Sequence, residues 1–258
     1  MMGSAALDRT GIDAVAVKPA EMHLDRVAAL PPVDLVVDYE GREHLPSAET
    51  LRSWADERTV RVTTPVRADG FDPLGADHLL DAVPAAVERV LVAGNPAYLT
   101  DEERSRAVAP RLGAAAGNAP SAWVGTEGVE RLALATGNPQ YELLSRGTVD
   151  AVRGLRAAGF EGVVAVYAPT VLTDDAAAVL DAVGAYVARR RPVASTLPEG
   201  APTDASATGR AREVLLAASR DYALTGTPAA VRERVQTLRD AGVDTVVGYP
   251  ARGLETLL

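Results

Sequence analysis

Residues 225–250 read TGTPAAVRERVQTLRDAGVDTVVGYP, a helix start, a helix, a helix stop and a strand in one unbroken run. Thr227 is placed to cap the helix by accepting a hydrogen bond from one of its first free amides. Pro228 suits the first helical position because it has no N–H to leave unpaired. Val231, Val235 and Leu238 recur at the spacing of one helical face, with Arg232, Glu233, Arg234 and Arg239 on the others. Gly242 is able to take the left-handed conformation that closes a helix. The stretch 243–249 is then β-branched and mostly apolar, as in a strand covered on both faces. A helix that passes through one glycine into a buried strand is half of a βαβ unit.

The same alternation runs back along the chain. Strands are expected at 12–17, 34–39, 60–66, 89–93, 121–124, 141–144, 163–167 and 245–249. Helical patterns separate them at 21–30, 48–57, 76–87, 101–115, 129–135, 149–158 and 174–191, with a further helix over 210–222. Alternation throughout implies an α/β fold with a parallel sheet, and eight repeats fit a closed (β/α)8 TIM-type barrel better than an open sheet. LRAAGFEGVVAVYAP (155–169) echoes LRDAGVDTVVGYP (238–250), and GIDAVAVKP (11–19) echoes the strand part of both. We read the chain, 1–258, as one barrel domain. The Pro-, Ser- and Thr-rich segment 191–209 between strands seven and eight reads as a flexible loop, either a lid or a tether. The final helix is short or missing, which would leave an apolar flank for a second subunit and makes a homodimer an expectation.

Composition narrows the function classes. The 258 residues carry a net charge of −9, which speaks against nucleic acid, since neutralising phosphates needs basic clusters. The basic run ARRRP (188–192) reads as a solvated helix end. No apolar run is long enough to span a bilayer and the first residues lack a signal-peptide layout, so a cytoplasmic protein without a membrane partner is expected. Cysteine is absent, which removes disulfides, thiolate metal sites and cysteine nucleophiles. The three histidines show no metal-ligand spacing, so no metal is expected. Of 26 basic residues only Lys18 is a lysine. That bias suggests a GC-rich genome, and with the acidic excess a salt-adapted, halophilic archaeal source.

GTPAAVRERVQTLRDAGVDTVV resembles the C-terminal signature of the bacterial luciferase-like superfamily: Gly-Thr/Ser-Pro, a helix with Val or Ile, Ala-Gly-Val and a final strand. It is most similar to the deazaflavin (coenzyme F420) branch that includes methylenetetrahydromethanopterin reductase. RVLVAGNPAYLT (89–100), WVGTEGVERLALATG (123–137) and VVAVYAPTVLTDD (163–175) resemble the family's fourth, fifth and seventh strand regions in order. Many members carry an acid–His pair directly after the second strand; here DYEGREH sets His44 four residues beyond Glu40. The resemblance implies an F420- or FMN-dependent oxidoreductase transferring a hydride to a small-molecule substrate. A barrel of this family that has lost catalysis and serves in cofactor binding or interaction is the alternative. An unrelated phosphate-binding isomerase barrel is a third, with only Arg252 and Gly253 to offer after strand eight.

Candidate site residues belong at the C-terminal ends of the strands, where barrels of this kind work. Asp38 and Glu40 sit two apart at the end of strand two, so a strand would put both on one face as paired acids. His44 on the following loop is a candidate proton donor or substrate-orienting group. Asn95 would point inward from the end of strand four, and Ser145 ends strand six. The loop Gly125, Thr126, Glu127, Gly128 allows close backbone approach and offers helix-start amides; the resemblance makes it a cofactor contact. Thr63 and Thr64 end strand three, where the family commonly has a non-prolyl cis peptide as a wall behind the cofactor ring. Tyr167 and Tyr249 close strands seven and eight and are able to stack on a ring.

Overall fold

Strand sequences such as AVAV and DLVV offer side chains that pack on both faces, which suits strands buried between a barrel interior and an outer ring of helices. A computed structural model describes residues 6–67, 83–95 and 99–258. It contains β1 (Ala14–Val17), β2 (Asp34–Val37), β3 (Val60–Pro65), β4 (Glu88–Val92), β5 (Trp123–Gly125), β6 (Gln140–Leu143), β7 (Val164–Val171), β8 (Leu224–Thr225) and β9 (Thr245–Pro250). β1 to β7 pair in sequence, all parallel; β9 pairs with β7 on one side and β1 on the other and so closes an eight-stranded barrel. The two-residue β8 only extends the far end of β7, pairing at Thr170 and Val171. The sequence reading lacks it, because two residues carry no periodicity.

Alternation along each strand divides the molecule in two. Val15, Val17, Leu35, Val37, Val60 and Val62 face outward into the main core under the helices. Ala14, Ala16, Val36, Val90, Ala165 and Val247 fill the interior together with Trp123, Tyr141 and Tyr167. Small residues on β1 thus leave room for the aromatic rings of β5 to β7. At the N-terminal end Arg61 closes the barrel: it pairs with Asp34 (3.1 Å) and Glu88 (2.8 Å) and lies over the Trp123 ring, 3.9 Å from its centroid.

The outer ring contains α1 (Ala48–Ala55), α2 (Asp101–Ser105), α3 (Val108–Asn118), α4 (Glu130–Ala135), α5 (Thr148–Ala157), α6 (Ala176–Ala188), α7 (Arg191–Ala194), α8 (Gly209–Tyr222) and α9 (Pro228–Ala241). α9 begins as its sequence dictates, with Thr227 Oγ1 accepting from the Ala230 amide, and stops at Gly242 with φ +108°. The single helix expected over 101–115 is two. Pro110 cannot donate back to residue 106, so it sits in the first turn of a new helix, where no donor is required. The pattern at 21–30 forms only a short 3-10 stretch, Leu24–Ala29, ahead of Pro31 and Pro32. The helix expected over 76–87 falls largely outside the described residues.

The 191–209 segment, read from the sequence as a flexible lid or tether, is laid against α6 and α8. Val193 and Ala207 are buried with Leu180, Val187 and Leu215. Thr203 O passes so close to Gly184 that a Cβ there would lie 1.9 Å from it. The final helix is replaced by a 3-10 turn, Leu254–Thr256, and Leu254 and Leu257 are buried beside Leu7, whose amide donates to Leu257 O. These leucines cover that part of the barrel's flank. No helix among the described residues is long and apolar enough to cross a membrane.

Candidate active site at the barrel mouth

A cavity of about 250 Å3 opens at the C-terminal ends of the strands. Seven strands contribute by simple parity. Inward residues continue the interior rows upward: Lys18 after β1, Asp38 and Glu40 after β2, Thr63 and Pro65 on β3, Val92 and Gly94 from β4, Gly125 on β5, Tyr141 and Leu143 on β6, Tyr167 on β7. Asn95 and Glu127 complete the rim. Gly94 is required where it stands, because a Cβ would lie 1.9 Å from Glu127 O and force the β4 and β5 loops apart.

The wall is aromatic. Trp123, Tyr141, Tyr167 and Tyr249 form a chain of ring contacts with centroids 5.7, 6.2 and 6.1 Å apart, the last pair stacked. Lys18 Nζ lies 4.7 Å above the Tyr249 ring and pairs with Glu21 at 3.2 Å. Tyr249 Oη donates to the other oxygen of Glu21 at 2.5 Å. Burial alone would raise the Glu21 carboxyl; the Tyr249 hydrogen bond and the Lys18 ammonium outweigh it and hold the group below its usual range. Burial pushes the Tyr141 and Tyr167 phenols well up, with the nearby Asp38 charge adding to it. Tyr141 is only 6% exposed and its hydroxyl has no hydrogen-bond partner among the described residues.

Asp38 is the chemically distinctive group. Loss of hydration inside the barrel raises its carboxyl from 3.8 to about 7; Lys18 opposes this, while Glu40 and Glu21 add to it. A group that titrates near neutrality within a cavity is equipped to give and take a proton. Glu40, at the end of the same strand, accepts from the Ala20 amide at 2.8 Å. Thr63 Oγ1 accepts from the Tyr39 amide at 2.7 Å, which ties β3 to the loop that carries both acids.

The other sequence candidates are distributed differently. His44 is largely exposed beside Glu43 and does not line the cavity. Thr64, one residue from Thr63, faces away from the cavity; it is fully buried and donates to Val62 O. Ser145 lies in a neighbouring hollow with Thr126, Glu142 and Arg190, its amide bonded to Thr148. The expected free amides of the Gly125–Gly128 loop are partly used: Thr126 N donates to Tyr141 O, and Gly128 N to Glu130. Glu127 is on the rim but paired with Arg190 at 3.0 Å. No cis peptide bond occurs among the described residues, β3 included. Sequence reasoning overlooked Tyr141, Pro65 and Leu143 and gave Lys18 no role. Its being the only lysine in the chain, at a strand end, was the available signal for Lys18.

Solved structures share this fold. It is similar to the coenzyme F420-dependent tetrahydromethanopterin reductase from Methanopyrus kandleri (15% identity, 94% of each chain covered, TM-score 0.57). It is also similar to an F420-dependent secondary alcohol dehydrogenase solved with an F420–acetone adduct (10% identity, 93% of each chain, TM-score 0.56). The fold shared with them is the (β/α)8 barrel. Within that architecture the chain belongs to a family of unknown function, DUF7388, whose model matches residues 7–257. Comparison with curated proteins gives no match.

Proposed function

We propose that this protein is a luciferase-like oxidoreductase that holds a deazaflavin (F420) or flavin (FMN) ring at the barrel mouth and transfers a hydride to or from a small molecule, with Asp38 exchanging the accompanying proton. The observation that carries the reading is Asp38: a carboxyl with a pKa of about 7 in a strand-end cavity, beside a buried tyrosine hydroxyl with no partner. The two structural neighbours, both F420-dependent by name, suggest the cofactor.

The cavity's residues fit a planar heteroaromatic ring. Tyr141 and Tyr167 offer flat apolar surface, and the unpartnered Tyr141 hydroxyl is a ready donor to a ring carbonyl or nitrogen. A bound ring of this type would supply the hydride chemistry that no side chain performs. The chain's own part is then positioning and proton transfer. Thr63 holds the loop after β2 in place, and Lys18 and Glu40 set the charge around Asp38. A hydride delivered to a carbonyl carbon leaves an alkoxide that needs a proton; a half-protonated Asp38 at neutral pH is able to provide it.

A second reading, a barrel that binds a small molecule without catalysis, is favoured by His44 lying outside the cavity and by the lack of an arginine among the cavity residues. One experiment separates them. Protein made in an F420-producing host is denatured, and any released chromophore is identified by absorbance, fluorescence and mass; the remainder is titrated with F420 and with FMN. Stoichiometric release, or saturable binding that raises Tm, is expected. Absence of both would sink the oxidoreductase and leave the binding protein.

A further inference from the structure

The ionisable groups around the cavity do not balance. Lys18 is paired with Glu21, and Glu127 with Arg190, so each of these pairs is neutral in itself. Asp38 and Glu40 remain. Glu40 accepts from a backbone amide, which carries no charge, and no side chain among the described residues makes an ion pair with Asp38. An anionic ligand entering here would meet two carboxylates and no arginine.

The wall beside these acids suits the opposite charge. Aromatic faces attract cations through the ring quadrupole, and the wall already does so once, with the Lys18 ammonium 4.7 Å over Tyr249. Tyr249 stacks on Tyr167, and Tyr167 meets Tyr141 edge-on. Tyr167 and Tyr141 line the cavity, Tyr249 does not.

We propose that the small molecule bound here is an organic cation, an amine protonated or quaternised at nitrogen, seated between the carboxylates of Asp38 and Glu40 and the rings of Tyr141 and Tyr167. This rests on the reading of the mouth as the substrate site and names the substrate class. It also gives the unusual state of Asp38 a purpose. Burial and the neighbouring Glu40 and Glu21 hold that carboxyl up, Lys18 only partly offsets them, and the Tyr141, Tyr167 and Tyr249 phenols around it bring no positive charge. An incoming cation supplies the missing charge and draws the proton off Asp38, so binding and ionisation are linked, and with such a substrate Asp38 is the base that accepts the proton released as hydride leaves the substrate.

The test uses three probes of one shape and different charge: tetramethylammonium, neopentyl alcohol and pivalate. Each is titrated calorimetrically into the full chain at fixed ionic strength, at pH 8 and pH 5.5. Tetramethylammonium is expected to bind at pH 8 at least tenfold more tightly than the alcohol, with no pivalate binding, and to weaken at pH 5.5. Asp38→Asn combined with Glu40→Gln is expected to weaken it tenfold or more, with Tm no lower than that of the parent protein. Equal binding of the alcohol or pivalate, cation binding indifferent to the double substitution, or no binding of any probe would overturn the proposal. Parallel titration with F420 and FMN keeps the two readings apart. Ring binding without cation preference sinks only this proposal; cation preference without ring binding sinks only the oxidoreductase.

Discussion

At the scale of the residue, the burial of Asp38 carries a stability cost that depends on pH. Its folded pKa lies above the unfolded value of 3.8, so the native state holds the proton more tightly. The stabilisation from this group is full below pH 3.8, is lost as pH rises through about 7, and does not change further above that. One pKa unit corresponds to about 1.4 kcal/mol, and the cavity's access to water reduces the effect. Asp38→Asn is accordingly expected to stabilise the protein by about 1–3 kcal/mol at pH 8 in urea unfolding, with the gain shrinking steadily towards pH 5. A substitution that destabilises at pH 8 would mean the carboxylate is well solvated. Thr63 and Thr64 show what a single strand leaves unsaid. They are neighbours of one type, yet one lines the cavity and the other is buried away from it. Parity alone separates them, and parity is set by the register against β2 and β4, not by local sequence.

At the scale of the element, the internal echoes become intelligible. Arg156, near the end of α5, donates to Gly242 O and to Asp244 Oδ2, and Asp244 in turn accepts from the Val164 amide of β7. Arg239, near the end of α9, donates to Gly11 O and Asp13 Oδ1, and Asp13 accepts from the Val246 amide of β9. The same device thus recurs one step around the barrel: an arginine at the end of one helix pins the Gly-apolar-Asp lead-in of the strand that neighbours the one its helix leads into. The repeated LR…G and G-x-D letters are architectural, which is how the sequence reading took them. Asp244→Ala and Asp13→Ala are each expected to cost about 1–2 kcal/mol, mostly through an orphaned strand amide, and a double-mutant cycle with Arg156→Ala should show coupling only for Asp244. Arg61 joins β2, β3 and β4 at the other end of the barrel. Arg61→Met leaves Asp34 and Glu88 facing each other, and a loss of roughly 2–3 kcal/mol in urea unfolding is expected, below the range for fully buried pairs because both acids are partly solvated.

At the scale of the whole molecule, closure depends on contacts that join the two ends of the chain. Leu7 and Leu257 are each about 1% exposed and linked by a backbone hydrogen bond of 3.0 Å, and Leu254 is packed with them. Leu257→Ala is expected to cost about 2–4 kcal/mol, measured by urea unfolding. A loss of only a few tenths of that would mean that the two ends of the chain are not packed together in solution. The barrel itself was legible because alternating strands and helices are local patterns, and closure follows from their number. The site was legible only in part. Asp38, Glu40, Asn95, Gly125, Glu127 and Tyr167 could be placed from strand ends, but the aromatic wall draws Tyr141 from a strand interior. The direction of the loop after β2, which carries His44 away from the mouth, has no signature in sequence.

The proposed chemistry depends on a carboxyl that titrates near neutrality at the mouth of the barrel, and this is directly observable. With the protein labelled at aspartate 13Cγ and the Asp38 resonance assigned through Asp38→Asn, a pH titration by NMR reports that group alone. A midpoint near 7, moving downward on addition of tetramethylammonium, is expected for a proton-transferring acid in a cation-binding cavity. A midpoint near 4, unmoved by the cation, would show an ordinary solvated carboxylate and remove the ground for assigning Asp38 a catalytic role.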